Sequence, residues 1–173
     1  MQGVMAMKSP QPLRQGAGLL ALSAVLWLAG CATCGLDPQV AQTTDSVRAQ
    51  LGEPTEAWPH SDGSQRWTYW WGAYGRQTCM ADFDAQGHMQ KVENVLDEAH
   101  FLQVRPGMTQ AQLRELLGPP SWIWHVQYHD QTVWSYRYVN PFCDVFHVGL
   151  TPAGIVEDSA HGLDPICDHE DRH

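Results

Sequence analysis

The chain has 173 residues, a formal net charge of −9 and five cysteines. This acidic balance excludes an electrostatic attraction to nucleic acid or to anionic lipid, because both carry negative charge. The length allows one domain or two small ones.

The first 30 residues have the features of a secretory signal. Lys8 and Arg14 precede an apolar run at 19–29, and no acidic residue occurs before it. The run is shorter than the roughly 20 apolar residues that span a bilayer, and it suits the hydrophobic region of a signal peptide. A membrane anchor or a buried helix is the alternative interpretation. Removing residues 1–30 takes away two positive charges, which changes the net charge from −9 to −11.

The apolar run ends in Leu28-Ala29-Gly30-Cys31, which resembles the lipobox of bacterial lipoproteins. The resemblance implies cleavage before Cys31 and acylation of its thiol and its new amine. Several acyl chains on one residue anchor stably, because each buried CH₂ contributes about 0.8 kcal/mol. Ala32 follows, and by analogy with enterobacterial sorting this favours the outer membrane. We expect the protein to face the periplasm.

The remaining cysteines fit an oxidising compartment. They are even in number, which predicts two disulfides, and sequence alone does not choose among the three pairings. The four candidates are Cys34, Cys79, Cys143 and Cys167. We predict the pairs Cys79–Cys143 and Cys34–Cys167, the second of which would join the two tails.

The stretch RPGMTQAQLRELLGPP, residues 105–120, carries start and stop signals for one helix. Thr109 is a good N-cap, and Gln112 three residues later completes a capping box. Gly118 can adopt the left-handed conformation that ends a helix, and two prolines follow it. These signals predict a helix over 109–117, which is too short to be stable without packing on another element.

A weaker copy of this stretch occurs 66 residues earlier, as AQTTDSVRAQLGEP. Gly52 and Thr43 occupy the positions of the cap residues, but Ser46 replaces the glutamine. We therefore predict that the capping box is lost and that the first helix is the weaker one. WTYWW and WSYRY then match at an offset of 67. Repeated landmarks indicate a duplication, with repeats at 43–96 and 97–160.

Each repeat is predicted to be a short helix packed on an antiparallel β-meander, which is an α+β fold. The region 31–42 is expected to be a lipidated tether, and 161–173 an acidic tail. The predicted strands are 55–60, 65–71, 77–83, 88–96, 122–128, 132–139, 142–150 and 155–159, with a short helix within 96–104.

The second repeat also resembles a known family. From Leu102 to Asp158 it contains a G-M-T helix start, an L-G-P-P stop, an aromatic strand and a final hairpin, as in the BamE/SmpA/OmlA family of outer-membrane lipoproteins. The duplicated plan is similar to the tandem fold of the β-lactamase inhibitor protein. The family resemblance implies a subunit or accessory of the machinery that inserts β-barrels into the outer membrane. Known assembly subunits carry one copy of the domain, whereas this chain has two.

Two rows of aromatic residues are the candidate protein-binding surface. Trp and Tyr dominate binding hot spots, and the seven tryptophans that follow the signal are more than short helices readily cover. The alternative is that these rows form the core beneath the helices. The candidate residues are Trp67, Tyr69, Trp71, Trp134, Tyr136 and Tyr138. The function expected from these features is a lipid-anchored protein-binding module; a protein inhibitor or ligand-binding module is the alternative.

No motif points to catalysis. His125, His129 and His147 lie near Asp130 and Asp144 in sequence, but no nucleophile elbow, P-loop or zincin helix is present. The tail CDHEDRH matches no closed zinc pattern, so a solvated acidic tail is the favoured interpretation. We expect no enzymatic activity, no cofactor and no metal.

Overall fold

The structure is a computed structural model that describes residues 34–37 and 39–167. The signal sequence, Cys31 and residues 168–173 lie outside the described residues. The elements, in chain order, are α1 (Thr44–Leu51), β1 (Glu56–Pro59), β2 (Gln65–Trp70), β3 (Thr78–Phe83), β4 (Met89–Asn94), α2 (Glu98–Phe101), α3 (Gln110–Leu117), β5 (Trp122–Val126), β6 (Gln131–Arg137), β7 (Asp144–Leu150) and β8 (Val156–Leu163).

The strands form two four-stranded sheets of the order β1-β2-β3-β4 and β5-β6-β7-β8. Every neighbouring pair is antiparallel, so each sheet is a meander that follows chain order. The predicted α+β class with antiparallel meanders is confirmed. The short helix expected within 96–104 is α2.

Helices α1 and α3 begin and end with the same local devices. In α3, Thr109 N–H donates to Gln112 Oε1 at 2.8 Å, and Gln112 N–H donates to Thr109 Oγ1 at 3.2 Å. The expected loss of the box in α1 is wrong, because Ser46 Oγ accepts from Thr43 N–H at 2.9 Å. A serine hydroxyl therefore reaches the N-cap amide as the longer glutamine does.

Helix α1 packs on one face of the first sheet, where Val47 meets Trp67 and Phe83 in a buried cluster. The opposite face of this sheet is covered by α3. Arg66 Nη1 donates to the Glu115 carbonyl at 3.3 Å, and Arg114 forms an ion pair with Glu56. The first sheet is therefore buried on both faces.

Helix α3 also covers the inner face of the second sheet, so it lies between the two sheets. Leu113 and Leu117 are fully buried against that face, in a cluster that includes Trp134, Tyr136 and Val148. None of the three helices in the described part of the chain lies on the outer face of the second sheet. Each face of a sheet must be covered or be compatible with solvent, and this outer face is the one that stays open.

The predicted disulfide pairing is wrong. The disulfides are Cys34–Cys79 and Cys143–Cys167, with Cα atoms 5.9 Å and 6.6 Å apart. Each bond lies within one half of the chain, because Cys34 packs beside the first sheet.

Both predicted tails also need correction. Cys34, Leu36 and Ala41 are buried in the core of the first sheet, so the chain is attached to the sheet at these positions and does not form a free tether there. At the other end, β8 continues to Leu163, and the Asp164 side chain that follows is buried against Arg137. The predicted acidic tail therefore does not begin at residue 161, because the chain stays attached to the second sheet as far as Cys167.

Candidate protein-binding site

Four of the six aromatic candidates are core residues. Trp67, Tyr69, Trp134 and Tyr136 are all at most 5% exposed, because they point toward the helix-covered face of each sheet. The prediction that they line an exposed face is therefore wrong. Burial also raises the pKa of Tyr69 to about 12 and that of Tyr136 well above its ordinary value. Among the described residues, the other two candidates differ: Trp71 is half exposed, and Tyr138 is partly buried against the second core.

The open aromatic surface lies instead on the outer face of the second sheet. Trp122 pairs with Ser135, and Ser135 pairs with His147 on the next strand. Trp124 lies one pleat away on the same face and is 44% exposed. We call this surface the outer face and define it by Trp122, Trp124, Ser135, Arg137 and His147.

A hydrogen-bond chain fixes the centre of the outer face. Trp124 Nε1–H donates to Ser135 Oγ at 3.0 Å, and that oxygen lies 2.8 Å from His147 Nδ1. Since the indole is only a donor, the hydroxyl accepts from it. A second lone pair and one hydrogen remain on the hydroxyl, so the direction of its hydrogen bond with Nδ1 is set by the tautomer of His147.

Small residues on the neighbouring strands leave room for this arrangement. A Cβ on Gly162 would lie 2.9 Å from His147 Nε2, so any larger residue there would require the imidazole to move. A Cβ on Gly149 would clash with the side chains of Gln131 and Asp158. The absence of bulky side chains at these two positions leaves the Trp122 and Trp124 rings as the prominent features of the face.

A buried ion pair closes one edge of the outer face. Arg137 Nε donates to Asp164 Oδ2 at 2.6 Å, and both side chains are largely buried. Burial alone would raise the pKa of Asp164, but the hydrogen bond from Arg137 reverses the shift and lowers this pKa. The guanidinium also lies 4.3 Å from the centre of the Trp122 ring, which is cation–π geometry. The pair thus holds Trp122 in place.

His147 should make the protein sensitive to mild acid. Burial lowers the pKa of His147, with a further contribution from His161. The unfolded chain therefore takes up the proton first, and stability falls as pH drops through about 6.5, the ordinary histidine pKa, towards the lowered value. We expect His147→Gln to reduce the loss of unfolding free energy between pH 7.5 and pH 5.5. Urea unfolding at both pH values measures it, and exposed His129→Gln is the control that should leave the loss unchanged.

Of the three histidines of the second repeat, His125 lies in β5, His129 in the turn after it and His147 in β7. Ser135 is fully buried, so its contact with His147 cannot present a nucleophile to a substrate. His125 lies 3.4 Å from Asp130 in an exposed turn region. Within residues 34–37 and 39–167 no group of side chains could hold a metal ion, and Cys167 is in a disulfide. The rest of the CDHEDRH tail lies outside the described residues.

Sequence reasoning missed the two tryptophans of β5. Their spacing, Trp122-Ile123-Trp124, places both on one side of a strand and was a usable signal. In the central strands β2 and β6 both alternating rows are buried or half-buried, although one row of each is largely polar, so alternation there does not mark the exposed face. Which row of side chains faces a helix depends on how α3 packs between the two sheets, and alternation along one strand carries no information about that packing.

Comparison with known families supports the sequence resemblance. The family described as "Outer membrane protein assembly factor BamE domain" matches residues 93–140, which include α2, α3, β5 and β6. The resemblance to the BamE family is therefore confirmed for this part of the chain. No curated protein is significantly similar in sequence.

Two solved structures show weak similarity. The DUF4309 family protein YjgB from Bacillus subtilis is 15% identical, covers 70% of this chain and 78% of its own, and gives a TM-score of 0.29. A putative β-lactamase inhibitor protein from Streptococcus mutans is 9% identical, covers 70% of this chain and 82% of its own, and gives a TM-score of 0.32. Similarity this low carries no conclusion about function. No helix in the described part of the chain has the length and apolar character needed to cross a membrane.

Proposed function

We propose that this chain, whose residues 93–140 match the BamE domain, is a lipid-anchored periplasmic module that binds proteins of outer-membrane β-barrel assembly. The outer face is proposed as its binding surface. The single observation that carries the proposal is an open sheet face bearing Trp122 and Trp124 within the matched segment. The proposal includes no catalytic step, since Ser135 is buried and the outer face offers no other nucleophile.

The composition of the outer face suits protein binding. Tryptophan and arginine are enriched in binding hot spots, and this face presents two tryptophans with Arg137 fixed beside one of them. The indole of Trp124 is already held by its bond to Ser135, so little side-chain freedom is lost when a partner packs on it. Pre-organisation of this kind favours affinity without additional contact area.

The lipid anchor rests on the sequence alone. The lipobox places acylation at Cys31, which lies outside the described residues. The outer membrane is proposed as the location because Ala32 follows the cysteine. Cys34 follows Cys31 by three residues and is bonded to Cys79, so a lipid on Cys31 would hold the folded protein close to the bilayer.

We also propose that residues 43–96 and 97–160 are a tandem duplication. The support is a set of equivalent contacts in the two halves, each joining corresponding positions. Tyr69 Oη donates to the Gly52 carbonyl in the first half, and Tyr136 Oη donates to the Gly118 carbonyl in the second. Trp58 Nε1–H donates to Thr68 Oγ1, and Trp124 Nε1–H donates to Ser135 Oγ. The isolated β-bridges Thr43–His88 and Thr109–Ile155 also correspond. Only the second copy leaves its tryptophan on an open face.

Truncating Trp124 should strongly weaken partner binding. We expect Trp124→Ala to weaken capture of a β-barrel assembly protein by at least about 2 kcal/mol, or roughly thirty-fold, as for a hot-spot residue. The measurement is quantitative co-purification of assembly components with the tagged mature lipoprotein from solubilised membranes.

The matched control is Trp58→Ala. Trp58 makes the equivalent indole–hydroxyl bond at 3.3 Å, but on the sheet face that α3 covers. The Trp58→Ala variant should lose the packing of one indole ring, as Trp124→Ala does, but should still capture the partner. Equal capture by wild type and Trp124→Ala would rule out the outer face as the site.

An inhibitor or ligand-binding module is the second candidate, and the same outer face favours it. It predicts capture of an enzyme in place of assembly components, with the same dependence on Trp124. The identity of the captured protein therefore separates the two functions, and the variant pair tests the surface in both cases.

A further inference from the structure

The end of the molecule that carries the β2–β3 and β6–β7 connections has a group of exposed apolar side chains. Tyr74 is 78% exposed and Phe142 is 73% exposed, although neither lies on the outer face. We define the apolar end by six exposed residues from three loops or strand ends: Trp71, Tyr74, Val139, Phe142, Leu163 and Ile166. Single exposed apolar residues are ordinary on a protein surface, but six on three neighbouring segments make this end apolar.

Direct contacts bring these three segments together. Arg137 Nη1 donates to the Ala73 carbonyl at 2.9 Å, and its guanidinium lies 5.5 Å from the centre of the Tyr74 ring. Asp164 binds the same guanidinium and donates its N–H to the Cys143 carbonyl at 2.8 Å. Through these bonds, loop 71–76 of the first half is fixed beside the two segments that the second disulfide joins.

The charge of the apolar end differs from that of the rest of the protein. The segments 71–76, 138–143 and 163–166 contain one carboxylate, that of Asp164, and it is buried and paired. Arg76 adds a positive charge to the first segment. The chain after the signal has a net charge of −11, so these three segments are less acidic than the chain as a whole.

The proposed lipid attachment point lies close to the same end. Cys31 is three residues before Cys34, and three residues span at most about 11 Å. Cys34 is bonded to Cys79, which pairs with Tyr69, two residues before Trp71. The first disulfide therefore fixes the root of the anchor next to loop 71–76.

We infer that the apolar end rests on the bilayer surface, with its aromatic side chains at the boundary between headgroups and acyl chains. The inference depends on the proposed acylation of Cys31. Trp and Tyr favour this boundary because each has an apolar body and a polar tip. The anchor keeps the patch at high effective concentration beside the lipid, so even weak insertion orients the molecule. The outer face, on the side of the second sheet, then points along or away from the membrane and stays open to a partner.

Bromolipid quenching of tryptophan fluorescence tests the orientation. The mature acylated protein is placed in phosphatidylcholine vesicles with and without acyl-chain bromine, and flotation confirms that it is anchored. Trp71, 50% exposed, and Trp124, 44% exposed, form a matched pair at the apolar end and on the outer face. We expect Trp71→Phe to remove at least half of the bromolipid quenching and Trp124→Phe to leave it unchanged.

The other results would overturn the inference in distinguishable ways. An anchored protein whose quenching is absent, or depends on Trp124 and not on Trp71, contradicts the orientation and leaves the proposed assembly function standing. A protein that does not float contradicts the lipid anchor and the inference together. Loss of partner capture in Tyr74→Ser/Phe142→Ser, with no quenching of Trp71, would assign the patch to a protein.

Discussion

Replacing Gly118 by alanine should destabilise the protein more than replacing Gly52 by alanine. Each glycine ends a helix with nearly the same backbone: φ is +81° and ψ −164° at Gly52, and φ is +76° and ψ −167° at Gly118. This region is accessible essentially only to glycine, and another residue there costs about 1–3 kcal/mol. The backbone penalty should therefore be similar at the two positions.

The surroundings of the two glycines differ. A Cβ at Gly52 would meet no atom within 4 Å, whereas one at Gly118 would lie 2.6 Å from Thr78 Cγ2 and 3.2 Å from Thr68 Cγ2. Both threonines are fully buried, and their branched side chains have little rotamer freedom to move away. Overpacking adds about 1–3 kcal/mol. Gly118→Ala should therefore lower the unfolding free energy by about 1–3 kcal/mol more than Gly52→Ala does.

Urea unfolding of the wild type and both variants measures the difference, and Gly52→Ala is the control for backbone strain. The excess loss at Gly118 reports the contact of the α3 terminus with the first sheet. Equal losses in the two variants would contradict the position of α3 between the sheets.

The elements were predictable because their signals are local. Thr109, Gln112 and Gly118 are neighbours in sequence, and their hydrogen bonds form within one or two turns of helix. Strand positions followed from turn residues such as Asp62-Gly63 and from alternating aromatic residues. The capping box of α1 was not predicted, because Ser46 stands where α3 has Gln112, yet the Ser46 hydroxyl accepts from the Thr43 amide.

The burial of the aromatic rows was not predictable in the same way. Trp67 and Trp134 are in the core, whereas Trp124 is on the open face, and all three lie in strands with similar alternation. Periodicity separates the two rows of a strand but does not say which row another element covers. That depends on α3 packing between the sheets, which uses residues more than 50 positions apart, such as Glu56 and Arg114.

The disulfide pairing failed for a related reason. Four cysteines allow three pairings, and no local signal ranks them. The choice of Cys34–Cys167 assumed two free tails, but Leu36 and Ala41 are buried against the first sheet. Burial of this segment brings Cys34 to Cys79 and leaves Cys143 to pair with Cys167.

Removing either disulfide should cost several kcal/mol of unfolding free energy. Cys34–Cys79 closes 45 residues and Cys143–Cys167 closes 24. Loop-closure entropy then gives losses of about 4 kcal/mol for Cys34→Ala/Cys79→Ala and about 3 kcal/mol for Cys143→Ala/Cys167→Ala. Urea unfolding of the oxidised proteins measures both losses. The reduced wild type is the control and should be less stable than either variant.

Thiol alkylation of the same variants tests the pairing itself. The test uses the acylated protein, in which the thiol of Cys31 is blocked by the proposed lipid. When Cys34 and Cys79 are both replaced, the observed pairing leaves Cys143 and Cys167 bonded to each other, so this unfolded, unreduced protein should take up no label. If the pairs were instead Cys79–Cys143 and Cys34–Cys167, the same variant would strand both remaining thiols and take up two labels. The result also bears on the apolar end, because the position of the proposed anchor beside Trp71 depends on the bond between Cys34 and Cys79. Two labels would separate the anchor from that loop and remove the geometric basis for placing the apolar end at the bilayer.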